Sequence, residues 1–523
     1  MPTVQNPILP GFHPDPSIVR VGDDYYVATS TFEWYPGVKI SHSKDLVHWR
    51  TAGYAVTRPS QLDLRGRPNS GGVWAPALTY ADGQFWLIYT DVRDWSGRFK
   101  DAHNYLITAP SIEGPWSEPV YLNSSGFDPS LFHDDDGRKW LVNMLWDHRA
   151  NHNPFGGILL QEYDPEQKKL VGPITTIFEG TELGLVEGPH LYTIDGWYYL
   201  LTAEGGTFTT HAESVARSRQ IEGPYEVMPG NPLVTSAHDP GLRLQSAGHG
   251  SLVQHADGSW GFVHLCRRPL ENGRSVLGRE TAYQAVRWED GWPRLATGGV
   301  EPQVAVEGPD LEPHPWPEPP ARDDFDGDAL GLEWNSPRIV TSEIARLDAR
   351  PGYLRLGGRE SIVSNFEQAL VARRLDAFHV EASTCVEFEP ESFQQMAGLV
   401  AFYSTDSFYY LHLSRAAHAE KALALMRCER GQVSFPVEKE FPLDGHDRVL
   451  LKLEIEGDRI RFFYSVDGEQ WGAMGGEQDA SILSDEHAVP AFGFTGAFVG
   501  MACHDLTGRR EHADFDWFEY RRL

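Results

Sequence analysis

Residues 15–30 read DPSIVRVGDDYYVATS: a small polar start, a short apolar run, a turn at Gly22 and a second run rich in Tyr and Val. The plan returns as APALTYADGQFWLIYT from Ala75, DPSLFHDDDGRKWLVNM from Asp128, EGPHLYTIDGWYYLLTA from Glu187 and HGSLVQHADGSWGFVHL from His249. Each is the signature of a β-hairpin, two strand-forming runs around a Gly-containing turn. The starts are 53 to 62 residues apart, which leaves room for two more strands per unit. Several units close on a shared ending, SKDLVHW at Trp49, SIEGPW at Trp116 and QIEGPY at Tyr225. A four-stranded unit repeated five times predicts an all-β, five-bladed β-propeller over residues 1–305, with blades set radially around a channel.

The rest of the chain changes character. Residues 306–320, VEGPDLEPHPWPEPP, predict a Pro- and acid-rich, semi-rigid linker. Residues 321–523 carry alternating runs such as YLRLGG, LLKLEIEGDRIRFFYSVDG and HADFDWFEYRRL, which predict a two-sheet sandwich whose last strand returns to close a sheet. The composition agrees: 16 Trp, 20 Tyr, 26 Phe, 51 Gly and 36 Pro in 523 residues favour short strands and tight turns over helices.

A formal net charge of −29 disfavours nucleic acid and anionic membrane as partners, since each would meet a repulsive field. The chain has no apolar run long enough to span a bilayer, and its start, MPTVQNPILPGF, lacks a basic segment followed by an apolar one. Cys266, Cys385, Cys428 and Cys503 are scattered without metal-binding spacing. A cytoplasmic protein without a disulfide framework is the expectation.

In a propeller the first strand of every blade lines the channel, so equivalent positions converge on one mouth. Asp15, Ala75, Asp128, Glu187 and His249 are read as those positions. Asp15 lies between Pro14 and Pro16 in GFHPDPS, a setting that by itself describes a surface turn. Three carboxylates and an imidazole around one axis are costly unless their charges are used, because like charges raise one another's pKa. Paired acids around a pocket point to glycoside hydrolysis, one protonating the leaving oxygen and another acting as base or nucleophile. Repeat-encoded turn chemistry is the competing reading, with Ala75 showing that the position needs no charge.

NPILPGFHPDPSI, GVWAPAL, GFDPSLF, VEGPHLY, LGRET and DDFDGDALGLEWNSPR, in that order along nearly the whole chain, resemble glycoside hydrolase family 43 in its two-domain β-xylosidase form. The resemblance implies a five-bladed propeller, a concanavalin-like sandwich capping it, and an inverting mechanism. It casts Asp15 as general base, Glu187 as general acid and Asp128 as the residue that tunes and orients the acid, with base and acid about 6.5–9.5 Å apart. Phe32, Trp74 and Phe127 become walls against a sugar ring. Ala75, Thr207, His249 and Arg279 become further substrate contacts, and Phe498, in GFTGAFVG, the aromatic inserted from the sandwich. Trp34 reads equally as blade packing, and His249 as a structural histidine. No cofactor is required, though calcium held through water near His249 is a candidate.

The expected activity is exo-acting hydrolysis of xylo-oligosaccharides from the non-reducing end, with α-L-arabinofuranosides as second or alternative substrates. A homo-oligomer is a candidate assembly. A non-catalytic sugar-binding protein is the reading from another class.

Overall fold

The computed structural model describes residues 2–488 and 492–523. Five antiparallel sheets, each folded from one contiguous stretch, form the blades. Blade I comprises Ser17–Val21, Asp24–Thr29, Gly37–Ser43 and Arg50–Val56. Blade II comprises Gly72–Ala81, Gln84–Asp94, Asp101–Ala109 and Val120–Asn123; blade III, Ser130–His133, Lys139–Trp146, Phe155–Asp164 and Lys169–Phe178. Blade IV runs Glu187–Ile194, Trp197–Glu204, Ala212–Ser218 and Glu226–Val227, with Val234–Thr235 also against its third strand. Blade V is Gln245–Gln254, Trp260–Arg267, Glu280–Glu289 and Trp292–Leu295. Gly22 turns the first hairpin at φ +63, with open space where a Cβ would sit; glycine adopts this left-handed conformation without steric cost.

The inner strands are tied to one another by a serine two residues beyond the axial position. Ser17 Oγ accepts from the Leu78 N–H at 3.0 Å, and Ser130 Oγ donates to the Pro189 carbonyl at 2.6 Å. Ser251 Oγ accepts from the Ile18 N–H at 2.9 Å and donates to the Pro16 carbonyl at 3.3 Å. The last two bonds close the ring between blades V and I, beside a short ladder of Thr3–Gln5 with Ala305–Glu307. The recurring "DPS" and "HGS" are therefore partly architectural.

The Pro-rich segment after residue 307 lies against blade I rather than running free. The His314 N–H donates to Asp45 Oδ2 at 2.7 Å, Trp316 packs on His42 at 5.0 Å, and the Arg50 guanidinium sits 4.1 Å above the Trp316 ring. Proline keeps this stretch extended, and its acceptable neighbours are supplied by the blade edge.

The C-terminal sandwich packs two antiparallel sheets. One holds, in spatial order, Ala345–Arg346, Leu354–Gly357, His512–Arg522, His379–Glu387, Arg448–Glu456, Arg459–Ser465 and Gly472–Asp479. The other holds Ala369–Arg374, Phe498–Asp505, Gln395–Ser404, Ser407–Ala416, Ala419–Glu429 and Gln432–Ser434. In Arg448–Glu456 the alternate residues Val449, Leu451, Leu453 and Ile455 are buried, the period-two pattern of a strand with one face in the core. The final strand sits inside its sheet, as its sequence suggests.

The two domains share an apolar core. Phe12, Phe32 and Trp34 from the propeller pack in one cluster with Leu370, Val400, Phe402, Phe408 and Phe498 from the sandwich. Ser336–Pro337 also pairs with Trp34–Tyr35. This corrects the reading of Phe498 as a substrate contact: its ring is fully buried and stacked on Trp34, centroids 3.6 Å apart and planes 11° apart. It opens a strand of the sandwich, so its side chain is directed by that sheet's pleat into the seam. Trp34 is likewise interdomain packing. Phe498→Ala should cost about 3–5 kcal/mol of unfolding free energy, measured by urea denaturation; a loss below about 1 kcal/mol would contradict a stabilising seam.

Candidate active site

The axial backbone explains the Pro-bounded aspartate. Asp15, Ala75, Asp128 and His249 all adopt positive φ, at 54°, 27°, 53° and 49°, where an L-residue outside glycine is strained by about 1–3 kcal/mol. The conformation recurs whether the residue is acid, alanine or histidine, so the repeat encodes the turn while the side chain is chosen blade by blade. Blade IV corrects the set of equivalents. There the left-handed residue is Gly188, at φ 57°, and Gly188 lies three residues before Leu191 as Asp15 lies three before Ile18. Glu187 is thus displaced by one residue from the strict repeat. A Cβ on Gly188 would come within 3.0 Å of the His249 ring, so this blade cannot carry a side chain at the repeated position without displacing the histidine.

At the channel mouth lies a cavity of about 290 Å³, near the small end of the roughly 300–1,000 Å³ usual for small-molecule sites. Asp15, Asp128, Glu187, Phe32, Trp74, Phe127, Thr207, His249 and Arg279 all line it. Ala75 is buried beside it without contributing to its lining: the left-handed turn leaves only a methyl group at this axial position.

Asp15 is 5% exposed. Its Oδ1 accepts from Arg279 Nη1 at 2.8 Å and its Oδ2 from Ser30 Oγ at 2.6 Å. His249 Nδ1 lies 3.6 Å from the same Oδ1. Arg279 also reaches Thr207 Oγ1 at 3.4 Å and the Phe494 carbonyl at 3.0 Å. Both terminal nitrogens of the guanidinium are therefore engaged by the protein, orienting Asp15 from a fixed fork, while Nε lacks a partner among the described residues. Asp128 accepts from the Gly188 N–H at 3.2 Å, a bond available because blade IV turns at that residue.

The remaining acid is set apart by its surroundings. Glu187 is walled in by protein while part of its surface opens to the cavity. Burial pushes its carboxyl well above the usual range, and the negative charges of Asp128 and then Asp15 push it further, against smaller opposing effects from Arg279 and Lys100. Burial and Asp15 also raise Asp128, opposed by the Gly188 N–H and Arg279. Of this close pair, Asp128 has the backbone donor that favours its charged form, so the shared proton belongs on Glu187.

Aromatic rings enclose these groups. Trp74 meets Phe127 edge-on at 5.4 Å, and Phe494 stacks near Phe32 at 6.1 Å and packs on Trp95 at 5.2 Å. Phe494, not Phe498, is the ring that the sandwich delivers to the pocket. Its N–H donates to Ser70 Oγ at 3.1 Å while its carbonyl takes the Arg279 bond, so the loop is fastened from both sides of the channel. Gly278 lets this loop pass: a Cβ there would lie 2.0 Å from the Thr495 carbonyl oxygen. Sequence reasoning placed the inserted ring one strand too late. The apolar run FVGMAC after Ala497 is the signal that Phe498 starts a core strand, leaving Phe494 for the loop.

Further lining residues came without a local motif: Trp95, Lys100, Trp146, Phe155, Leu185, Gly206, Phe208 and His211. Lys100 Nζ donates to the Trp95 carbonyl at 2.9 Å and lies 4.4 Å above the Trp146 ring. Calcium requires six to eight oxygen ligands. Among the described residues no group of three or more His, Cys, Asp or Glu is placed to hold an ion, and the Asp15 carboxylate near His249 is already engaged. An ion there would depend on water. The four cysteines are free and buried.

The comparisons fit this geometry. Residues 4–293 match the model for glycosyl hydrolases family 43, and residues 322–521 that for the β-xylosidase C-terminal concanavalin A-like domain. A β-xylosidase of Bacillus subtilis (strain 168) is 48% identical over 99% of both chains. Xylosidase/arabinosidase 43B of Humicola insolens is 51% identical over 100% of this chain and 98% of its own. The crystal structure of xylan β-1,4-xylosidase from Bacillus halodurans C-125 superposes with a TM-score of 0.98, at 54% identity, covering 99% of this chain and 100% of that one. With the family model matching the propeller and these relatives matching nearly the whole chain, the protein is a glycoside hydrolase and belongs to glycosyl hydrolase family 43.

Proposed function

We propose that the protein is an exo-acting, inverting β-D-xylosidase that removes xylose from the non-reducing ends of xylo-oligosaccharides, and that it also accepts α-L-arabinofuranosides. The observation that carries this reading is the division of labour among the acids: Asp15 paired with Arg279, Glu187 raised by burial and by Asp128. The mixed xylosidase/arabinosidase relative supports the second specificity.

Glu187 holds a proton and passes it to the glycosidic oxygen as that bond to C1 breaks. A water molecule attacks C1 from the opposite face, forming the new C–O bond, and Asp15 takes the proton the water gives up. Asp128 keeps Glu187 protonated until substrate arrives. Solvent then returns a proton to Glu187 and removes one from Asp15. The aromatic walls exclude other water and present flat apolar faces to a sugar ring. The Phe494 loop seals one side of the cavity, which favours a chain end over an internal stretch of polymer.

Hydrolysis of 4-nitrophenyl β-D-xylopyranoside and 4-nitrophenyl α-L-arabinofuranoside tests the substrate assignment. Proton NMR of xylobiose cleavage tests the stereochemistry. α-Xylose should be the first-formed anomer; β-xylose appearing first would overturn Asp15 as a base acting on water. No helix among the described residues is long and apolar enough to cross a membrane. The cytoplasm is the proposed compartment, where the substrates would be short imported oligosaccharides.

A further inference from the structure

His211 precedes the third strand of blade IV, at the end of the loop that brings Thr207 to the cavity. It lines the cavity and is 1% exposed, yet both its ring nitrogens lack a hydrogen-bond partner among the described residues. The backbone of Gly206 lies beside the ring but outside hydrogen-bonding geometry. Leaving a buried polar group unpaired costs about 1–3 kcal/mol, and such groups in native proteins ordinarily have a partner in protein, water or ligand. The residue itself is firmly held. Its N–H donates to the Phe208 carbonyl at 3.1 Å, its carbonyl accepts from Thr235 Oγ1 at 2.7 Å, and its Cδ2 would lie 2.6 Å from a Cβ on Gly248. Glycine at 248 makes the room the ring occupies.

Burial first, and then the positive surroundings of His249, Arg279 and Arg267, hold the imidazole well below its ordinary pKa. A neutral ring offers one donor and one acceptor, the pairing that a sugar hydroxyl can complete from either side. Arg279 and Thr207, its neighbours at the cavity wall, are already bonded to each other. On the same wall, His211 has neither ring nitrogen paired among the described residues.

We infer that His211 binds the terminal sugar in the cavity through a ring hydroxyl, as a further substrate-contacting residue; the inference rests on the glycosidase reading above. Its test is kcat/KM of wild type, His211→Leu and His211→Gln on 4-nitrophenyl β-D-xylopyranoside and its 2-, 3- and 4-deoxy analogues. His211→Leu should lose about tenfold on the parent substrate. It should also be indifferent to one deoxygenation that costs wild type a similar factor, while His211→Gln, which keeps a donor and an acceptor, recovers part of the loss. The pH profile should keep its shape, since the ring stays neutral throughout. If every deoxygenation costs the Leu variant as much as wild type, or if its rate is unchanged, His211 touches no hydroxyl and the inference fails. If circular dichroism shows His211→Leu unfolded, the same comparison with His211→Gln decides: a weakened response to one deoxygenation supports the contact, an undiminished response to all overturns it. A wild type inert on the whole series would instead strike the xyloside reading, and this assignment with it.

Discussion

Asp15→Asn is expected to lower kcat on 4-nitrophenyl β-D-xylopyranoside by about 10²–10⁴-fold, the range for removing a positioned general base, with the fold intact. Asparagine suits the test for two physical reasons. It tolerates the left-handed backbone that position 15 adopts at φ 54°. Its amide oxygen also still accepts from Arg279, which is 4% exposed and would otherwise be left as a buried unpaired charge. Asp15→Ala is the harsher variant. Blade II carries Ala75 in the same turn, so alanine is compatible with the backbone, but the unpaired guanidinium would cost about 3–5 kcal/mol. Circular dichroism and thermal unfolding of both variants separate lost chemistry from lost structure. A folded Asn variant that keeps more than about a tenth of the wild-type rate would remove Asp15 from the reaction.

Glu187→Gln should lose about 10²–10⁴-fold on xylobiose, whose leaving sugar needs a proton. On 2,4-dinitrophenyl β-D-xylopyranoside the loss should be far smaller, because that leaving group departs as a stable anion. The pH dependence has a definite sign. Glu187 acts in its protonated form, and its pKa is raised by burial and by Asp128 and Asp15. Wild-type kcat/KM should therefore fall as pH climbs through that raised value, above the range in which an ordinary carboxylic acid would already have lost its proton. Glutamine cannot ionise, so the alkaline limb should vanish from the variant's profile. Equal losses on both substrates, or an alkaline limb that survives, would show that the proton comes from elsewhere.

Most of the architecture was legible because it repeats. Hairpins spaced at a near-constant interval announce radial blades, and the alternation in 448–456 announces a sandwich strand. The acids were legible for the same reason, since a repeated turn carries Asp15 and Asp128 to one axis. Two finer features escaped. The one-residue offset of Glu187 from the repeat shows itself only when the blades are aligned on their inward apolar residues, Ile18, Leu131 and Leu191, rather than on their acids. The loop contacts escaped because nothing local marks them: Lys100 and Trp95 come from a polar turn of blade II, His211 from the end of a loop in blade IV, and Phe494 from another domain. Their meeting point is set by packing between elements far apart in the chain, which leaves no pattern of spacing to detect.

The fastening of Phe494 to Ser70 and Arg279 has a consequence for synthesis. All three acids are made within the first half of the chain, and the clamp that positions Asp15 follows with blade V. The ring that seals the cavity, and the carbonyl that anchors Arg279 from its far side, are made 215 residues after Arg279 itself, with the second domain. A nascent chain released early would carry every charged group of the reaction around an unsealed pocket. Placing the seal in the sandwich confines the finished site to chains in which both domains have been made.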